Sequence, residues 1–316
     1  MTSRRYAVTV IDLHTHSNFS DGSDSPSQLA AHASRLGLRA IALTDHDTTL
    51  SHEQMAAACR EHGIELVPGV EISVLDDVLT RRGHDGEAHS RGVHVLAYYL
   101  PLDSAHPVQR LLARLRDDRR DRNVRLVSRL RELGFTRLTL DDVAARAANV
   151  EGIGRPHFAA AMFDLHPEIV GERTPATWSQ LFVEWLGATG RAYVPKTTLT
   201  LAQFISAADG SGTVFSIAHP LLNYVPEYTS ASIHEQMPAI LASLRERGVA
   251  GVEAYYGGTN EATRSLMVKL TRDAGLIPTG GSDYHGLFKE DVSLGVGHSG
   301  DLRVPDEVLD EIKSAR

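Results

Sequence analysis

Histidines and carboxylates recur in this chain at one kind of place, the end of a short apolar run, and that placement suits the chemistry of a metal site. Ala7-Val-Thr-Val-Ile11 is strand-like and leads into Asp12-Leu-His14-Thr-His16, with Asp21 following on a loop. Side chains two apart on an extended chain point the same way, so His14 and His16 share a face and can grip one ion. Alone, a His-x-His pair is a weak signal. The pattern returns, however. The run from Ala40 to Thr44 ends in Asp45-His46, that from Ile64 to Val70 in Glu71, that from Thr213 to Ala218 in His219, and Val249-Ala-Gly-Val in Glu253. Leu276 to Thr279 opens through Gly280-Gly-Ser into Asp283-Tyr-His285, which repeats the two-residue spacing of His14 and His16. Nitrogen and carboxylate donors without thiolates suit zinc, manganese or iron, and they outnumber the three or four that one ion needs.

The elements that must position these groups alternate. Ser25 can cap a helix, with Pro26 in its first position and Gln28 completing a capping box, and Gly37 ends it after Leu36. Ser51 to His62 reads as a second helix ended by Gly63, and further helices are expected over Leu201–Asp209, Ile233–Arg247 and Asn260–Asp273. Strands alternating with helices imply a parallel sheet or barrel, in which functional groups collect at the carboxyl ends of the strands. Two stretches break the rhythm. Leu75 to Arg91 is polar and without period, a loop or a long hairpin connection, and the following run Gly92 to Leu100 embeds His94 among apolar residues, where a histidine is more often a satisfied core residue. From Pro107 to about Asn149 leucines fall at helical spacing, and residues 110 to 137 hold ten arginines against four acids. A solvated, ion-paired helix face is the ordinary reading of such a run, and a surface that follows a phosphate backbone is the alternative.

With 316 residues, 42% of them hydrophobic and 23% charged, the chain can bury one large domain or one domain with an insertion. The formal charge of -8 argues against general affinity for nucleic acid or anionic membranes. The single Cys59 excludes an intramolecular disulfide and reads as part of a packed helix face. No apolar run is long enough for a signal or a spanning helix, so a soluble, cytoplasmic protein without membrane contact is expected.

Taken together, Asp-Leu-His14-Thr-His16 with Asp21, Leu-Thr-Asp-His46-Asp, Pro-Gly-Val-Glu71, the embedded His94, Ala-His219-Pro and Gly-Ser-Asp283-Tyr-His285 resemble the PHP (polymerase and histidinol phosphatase) phosphoesterases. The resemblance spans roughly residues 8 to 100 and 212 to 300. It implies an α/β fold, a distorted seven-stranded β/α barrel of the TIM type, with the barrel in 8–101 and 201–316 and a small helical domain inserted at 102–200 as a substrate cover. It also implies two or three divalent ions, manganese, zinc or iron. One ion would take His14, His16, Glu71 and Asp283; a second would share Glu71 and add His94 and His219; a third would take Asp21, His46 and His285. Many relatives carry His where this chain has Asp21, a harder oxygen donor.

Within the insertion, Gly154-Arg155-Pro-His157-Phe and Tyr193-Val-Pro-Lys196 resemble the PHP subgroup that hydrolyses nucleotide phosphates, including 3′,5′-bisphosphate nucleotides and the 5′ ends of short RNA. The resemblance implies that Arg155, His157 and Lys196 hold phosphate oxygens, against the ordinary reading that Arg155 and Lys196 pair with surface acids and His157 caps a helix. The expected reaction is hydrolysis of a phosphate monoester by metal-activated hydroxide, with Arg155 stabilising charge, Asp283 as proton acceptor, and His219 or His157 as donor to the leaving oxygen. A small phosphorylated substrate, a nucleotide or short RNA, is therefore the expected partner, with no obligate protein partner. Two alternatives stand beside this. A histidinol-phosphate phosphatase would share barrel and metals but needs no helical cover. A non-catalytic metal-binding nucleic-acid module would sit in a longer chain and can lose ligands, whereas every ligand position here is filled.

Overall fold

A computed structural model describes residues 10–82, 88–147, 152–187, 189–195 and 197–316. The first half runs β1 (Val10–Asp12), α1 (Pro26–Leu36), β2 (Ala40–Leu43), α2 (His52–His62), β3 (Glu65–Arg82) and β4 (Ala88–Tyr98). A helical stretch follows, made of α3 (Pro107–Glu132), α4 (Leu140–Ala144), α5 (Arg155–Leu165), α6 (Pro167–Val170) and α7 (Pro175–Leu181). The chain then returns to β5 (Leu199–Thr200), α8 (Leu201–Ala207), β6 (Val214–Ile217), α9 (Pro220–Tyr224) and α10 (Ser230–Glu246). It ends in β7 (Gly251–Tyr256), α11 (Glu261–Asp273), β8 (Ile277–Gly281), β9 (Val304–Pro305) and α12 (Glu307–Ser314).

The capping chemistry of the sequence is realised at α1, where the Ser25 hydroxyl accepts from the Gln28 N–H and the Gln28 side chain accepts from the Ser25 N–H. Gly37, with φ of 73°, supplies the left-handed stop.

Seven strands form a nearly closed barrel in the order β8-β7-β6-β4-β3-β2-β1, while β9 pairs antiparallel with β1 and β5 pairs parallel with β3. The seam closes where the Leu13 N–H donates to the Gly280 carbonyl at 3.2 Å and Thr15 bridges Tyr284 in parallel. This closure needs glycine at 281, because a Cβ there would stand 2.4 Å from the His14 amide nitrogen. The sheet is mixed rather than parallel: β4 runs antiparallel to both β3 and β6. The reason is local. No helix separates β3 from β4, and only an antiparallel hairpin can join neighbouring strands without a crossover. The polar stretch after Leu75 is thus largely strand, and Glu71 and Glu253 lie within β3 and β7 rather than at strand tips.

Alternation divides the core. On β4, Val93, Val95 and Ala97 pack outward with α3, α8, α10 and α11, while Leu96 and Tyr98 face inward with Ile11, Leu13 and Ala42. His94 shares the parity of Leu96 and Tyr98 and so belongs to the inward face. Each fully buried side chain of this size stabilises the fold by about 1.5–3 kcal/mol, which is what makes the register of β4, and hence the aim of His94, costly to change. A separate apolar cluster, from Leu126 and Phe135 through Phe158 and Met162 to Trp185 and Val194, packs the helical stretch on itself.

Candidate metal centre

The strands aim their donors at the mouth of the barrel, and the seam brings the two spaced pairs together. The Asp283 N–H donates to the His14 carbonyl at 2.9 Å and the His16 N–H to the Tyr284 carbonyl at 3.0 Å, so His14-x-His16 and Asp283-x-His285 lie side by side. Two buried acids hold these loops without joining the centre. Asp12 accepts from the Ser282 N–H and hydroxyl and from the Gly295 N–H. Asp45, which the sequence pattern places at a strand tip, accepts from the hydroxyls of Ser17, Ser20 and Ser51, and its carboxylate is committed there.

All nine histidines and carboxylates of the expected ligand set converge. Nε2 of His14 lies 3.1 Å from Nε2 of His16, 3.4 Å from Oε2 of Glu71 and 3.5 Å from Oδ1 of Asp283. Nε2 of His16 lies 3.3 Å from the same Glu71 oxygen and 3.5 Å from Asp283. The other Glu71 oxygen, Oε1, is 2.9 Å from Nδ1 of His94 and 3.3 Å from Nε2 of His219. Asp21 is 3.3 Å from Nε2 of His285 and 3.7 Å from both His16 and His46, and His46 Nδ1 is 3.2 Å from Glu71. Three sets of donor atoms lie within 4.8 Å of one another: His16, Asp21, His46 and His285; His14, His16 and Glu71; and His46, Glu71 and His94.

These spacings fit a cation. Donors about 2.0–2.2 Å from an ion stand about 3.0–3.6 Å apart at angles between right and tetrahedral, the separations seen around His14, His16, Glu71 and Asp283. Asp21 Oδ1 is buried and makes no hydrogen bond, which leaves a lone pair open to an ion. The outer ring nitrogens are also oriented: His285 Nδ1 lies 2.8 Å from the Asp283 carbonyl, and His14 Nδ1 lies 3.0 Å from Glu253 Oε1.

Burial pushes the Glu71 carboxyl up, but the charges of His46, His94 and His14 outweigh it and hold it well below the usual carboxylate range. Asp283 is held low against its burial by Lys289, His14 and His285, and Asp21 by His46 and His285. Burial lowers His46 to about 3. His16 goes the other way, raised to about 9 against its burial by Asp283, Glu71 and Asp21. The donor set is thus a nest of ionised carboxylates. Strain gathers here too: among the described residues four non-glycine residues have positive φ, and three of them, Asp47, His219 and Asp283, stand at the centre or beside it.

A cavity of about 600 Å³ opens over the donors. Its floor includes Asp21, His46, Glu71, His94, His219, Asp283 and His285, and its far wall carries Arg119, Arg122 and Arg155 with Trp178, Phe182 and Tyr193. Arg155 thus lies where the sequence motif puts it. His157 does not line the cavity; its Nδ1 accepts from the Gly154 N–H at 3.0 Å, so this ring caps α5, and it packs edge-on against Phe288. Lys196 lies outside the described residues. The expectation of a solvated α3 holds for Arg110, Arg114, Arg120, Arg125 and Arg129, which are exposed.

The charged cavity residues that the sequence does not single out are Arg119, Arg122 and Lys289. Leu115, Arg119, Arg122 and Leu126 follow one another at helical spacing on α3, so two arginines interrupt an apolar stripe, and that interruption was the available signal. Arg119 pairs with Asp47, next to His46, and Arg122 donates from Nε to the Val194 carbonyl at 3.0 Å. Burial, with the charges of Arg155 and Arg119 beside it, lowers Arg122 to about 10. Lys289 Nζ lies 2.7 Å from Oδ2 of Asp283.

Among the described residues no helix is long and apolar enough to cross a membrane. The PHP domain family matches residues 12–173. A 5′-3′ exoribonuclease of Haemophilus influenzae is 27% identical over 87% of this chain and 89% of its own length. A 3′,5′-nucleoside bisphosphate phosphatase of Chromobacterium violaceum is 27% identical over 92% of both chains. A solved structure described as a metal-dependent phosphoesterase from Bifidobacterium adolescentis superposes with a TM-score of 0.75 at 30% identity, covering 97% of this chain and 96% of that one. With donors that serve divalent ions at the mouth of its barrel, the chain belongs to the PHP domain family and is a hydrolase of phosphoric esters.

Proposed function

We propose that this protein removes phosphate from nucleotide monoesters, 3′,5′-bisphosphate nucleotides in the first place. The observation that carries the reading is the pairing, across one cavity, of a floor of metal donors with a wall of three arginines on α3 and α5. A second phosphate and a base need such a wall. Arg119, Arg122 and Arg155 offer planar donors to phosphoryl oxygens, and Trp178, Phe182 and Tyr193 offer faces to a base. The name of the Chromobacterium violaceum relative agrees with this. The domain assignment belongs to the same proposal: 8–101 and 201–316 form the barrel, and 102–200 cover it.

Two or three divalent ions, manganese, zinc or iron, are proposed for the centre, held by His14, His16, Glu71 and Asp283, by Glu71 with His94 and His219, and by Asp21 with His46 and His285. When bound, such ions activate water for attack on phosphorus and neutralise phosphoryl charge. The chain's own residues do the rest. The arginine wall binds and orients the ester. Lys289 keeps Asp283 ionised, so Asp283 can accept a hydrogen bond from a water and orient it, while a carboxylate held so low is a weak base for the proton itself. His157 does not line the cavity and His219 does, which favours His219 over His157 as donor to the leaving oxygen wherever it is not itself holding an ion.

Exonucleolytic attack on short RNA is a second reading of the same site, carried by the name of the Haemophilus influenzae relative. Phosphate or mononucleotide release by manganese-reconstituted protein, measured on adenosine 3′,5′-bisphosphate, 5′-phosphorylated short RNA and histidinol phosphate, separates the readings. Fastest turnover on the bisphosphate is expected. Turnover of histidinol phosphate alone, or of nothing, would overturn the proposal.

A further inference from the structure

Glu253 is a buried carboxylate that neither the expected ligand set nor the mechanism uses. It lies within β7, its side chain fully shielded from solvent, at an irregularity in the register with β8 between Glu253 and Tyr255. Both oxygens are engaged. Oε1 stands 3.0 Å from His14 Nδ1, and Oε2 accepts the backbone N–H of His219 at 2.8 Å. Each contact bears on a donor of the centre. A His14 ring that gives its Nδ1–H to Glu253 turns the lone pair of Nε2 toward Glu71 and Asp283, which lie 3.4 and 3.5 Å away. His219, with φ of 30°, holds a left-handed backbone conformation that is uncommon outside glycine and persists only where the surroundings hold it, and its amide donates to Glu253.

We infer that Glu253 is a positioning residue of the metal centre, fixing the ring of His14 and the backbone of His219 together from behind the donors. The inference rests on reading the donor set as a metal centre and adds to it a residue that need not touch the ion. Glu253→Gln tests it at nearly constant volume. Whichever way the amide turns, its NH2 group faces one of the two N–H donors, so one bond is lost and replaced by a donor–donor contact.

The measurement is the affinity of metal-free wild type and E253Q for Zn²⁺, by competition with a chromophoric chelator, with the melting temperature of each metal-free protein alongside. Outer partners of this kind change metal affinity by about 10- to 100-fold, and that weakening is expected in E253Q. Affinity within about threefold of wild type would overturn the inference, even with a lowered melting temperature, because a merely structural role destabilises the fold without reaching the ion. Should E253Q fail to fold, imidazole ¹⁵N spectra of zinc-loaded wild type decide: a proton on His14 Nδ1 is expected, and its absence overturns the inference. Wild type that binds no zinc removes the centre itself and the inference with it. Wild type that binds zinc as tightly as E253Q removes only the role of Glu253.

Discussion

Loading the centre with a divalent ion at neutral pH should release a proton from the His14/His16 pair. Glu71, Asp283 and Asp21 are already ionised, and His46 at about 3 is already neutral, so these groups have no proton to give. His14 and His16 are both pushed upward against their burial, His14 by Glu253, Glu71 and Asp283, and His16 to about 9. Their Nε2 atoms are 3.1 Å apart, a spacing that admits one hydrogen between them, so the pair carries one labile proton where an ion would sit. Removing it at pH 7 from a group titrating near 9 costs about 3 kcal/mol, at about 1.4 kcal/mol per pH unit. Structural zinc sites supply about 10–16 kcal/mol, so the ion wins, but its affinity should rise about tenfold per pH unit up to about 9 and then level off. The sign reverses for the metal-free protein. His16 is raised above its ordinary 6.5, so its contribution to stability is complete below that pH and is lost as pH climbs through about 9. Titration calorimetry in buffers of different ionisation enthalpy counts the proton, and thermal melts of metal-free protein follow the stability. A pH-independent affinity between 7 and 9, with no proton released, would refute the reasoning.

Three further outcomes follow from the seam, the cavity wall and the exposed face of α3. Gly281→Ala places a methyl against the His14 backbone at the barrel seam, and should destabilise the fold by about 1–3 kcal/mol, read as a lowered urea midpoint; an unchanged midpoint would mean that the seam has room to open. Arg122→Ala should raise KM for nucleotide bisphosphates more than it lowers kcat, and activity on short RNA should fall with salt more steeply than activity on mononucleotides if the exposed arginines of α3 follow a phosphate backbone; equal salt slopes would confine the arginine function to the cavity.

The barrel was legible where local physics determines it. The capping box at Ser25 and Gln28 and the glycine stops at Gly37 and Gly63 are short-range decisions, made by residues a few positions apart. The run from Gly92 to Leu100 reads as a strand, and the stretch before it as a loop or a long hairpin connection; how far β3 and β4 extend into that polar stretch was not legible, because it carries no apolar period and its strand character comes from the pairing of the two strands. Glu71 and Glu253 look like tips in the sequence and lie inside strands in the structure, because each strand runs on past its carboxylate, through Ile72 and Val74 in one case and Ala254 to Tyr256 in the other. At Glu71 the alternation of Val70, Ile72 and Val74 was the available signal.

The site was legible in its donors and illegible in what surrounds them, and the difference has a physical cause. A metal ligand must be histidine or carboxylate and must end near a strand mouth, so type and position together narrow the choice to few residues. The groups that orient donors or bind substrate face no such restriction. Glu253 works through hydrogen bonds that any sequence neighbour could accept, and Arg119 and Arg122 read as two more charges in a charged helix until the leucines on either side place them on its inner stripe. One rule follows for this architecture. A charged residue in an apolar stripe carries more information than a run of charges on a solvated face, because burying a charge costs several kcal/mol unless something stands opposite to receive it. For Arg119 that counterpart is Asp47, next to His46, and this contact ties α3 to the candidate metal centre.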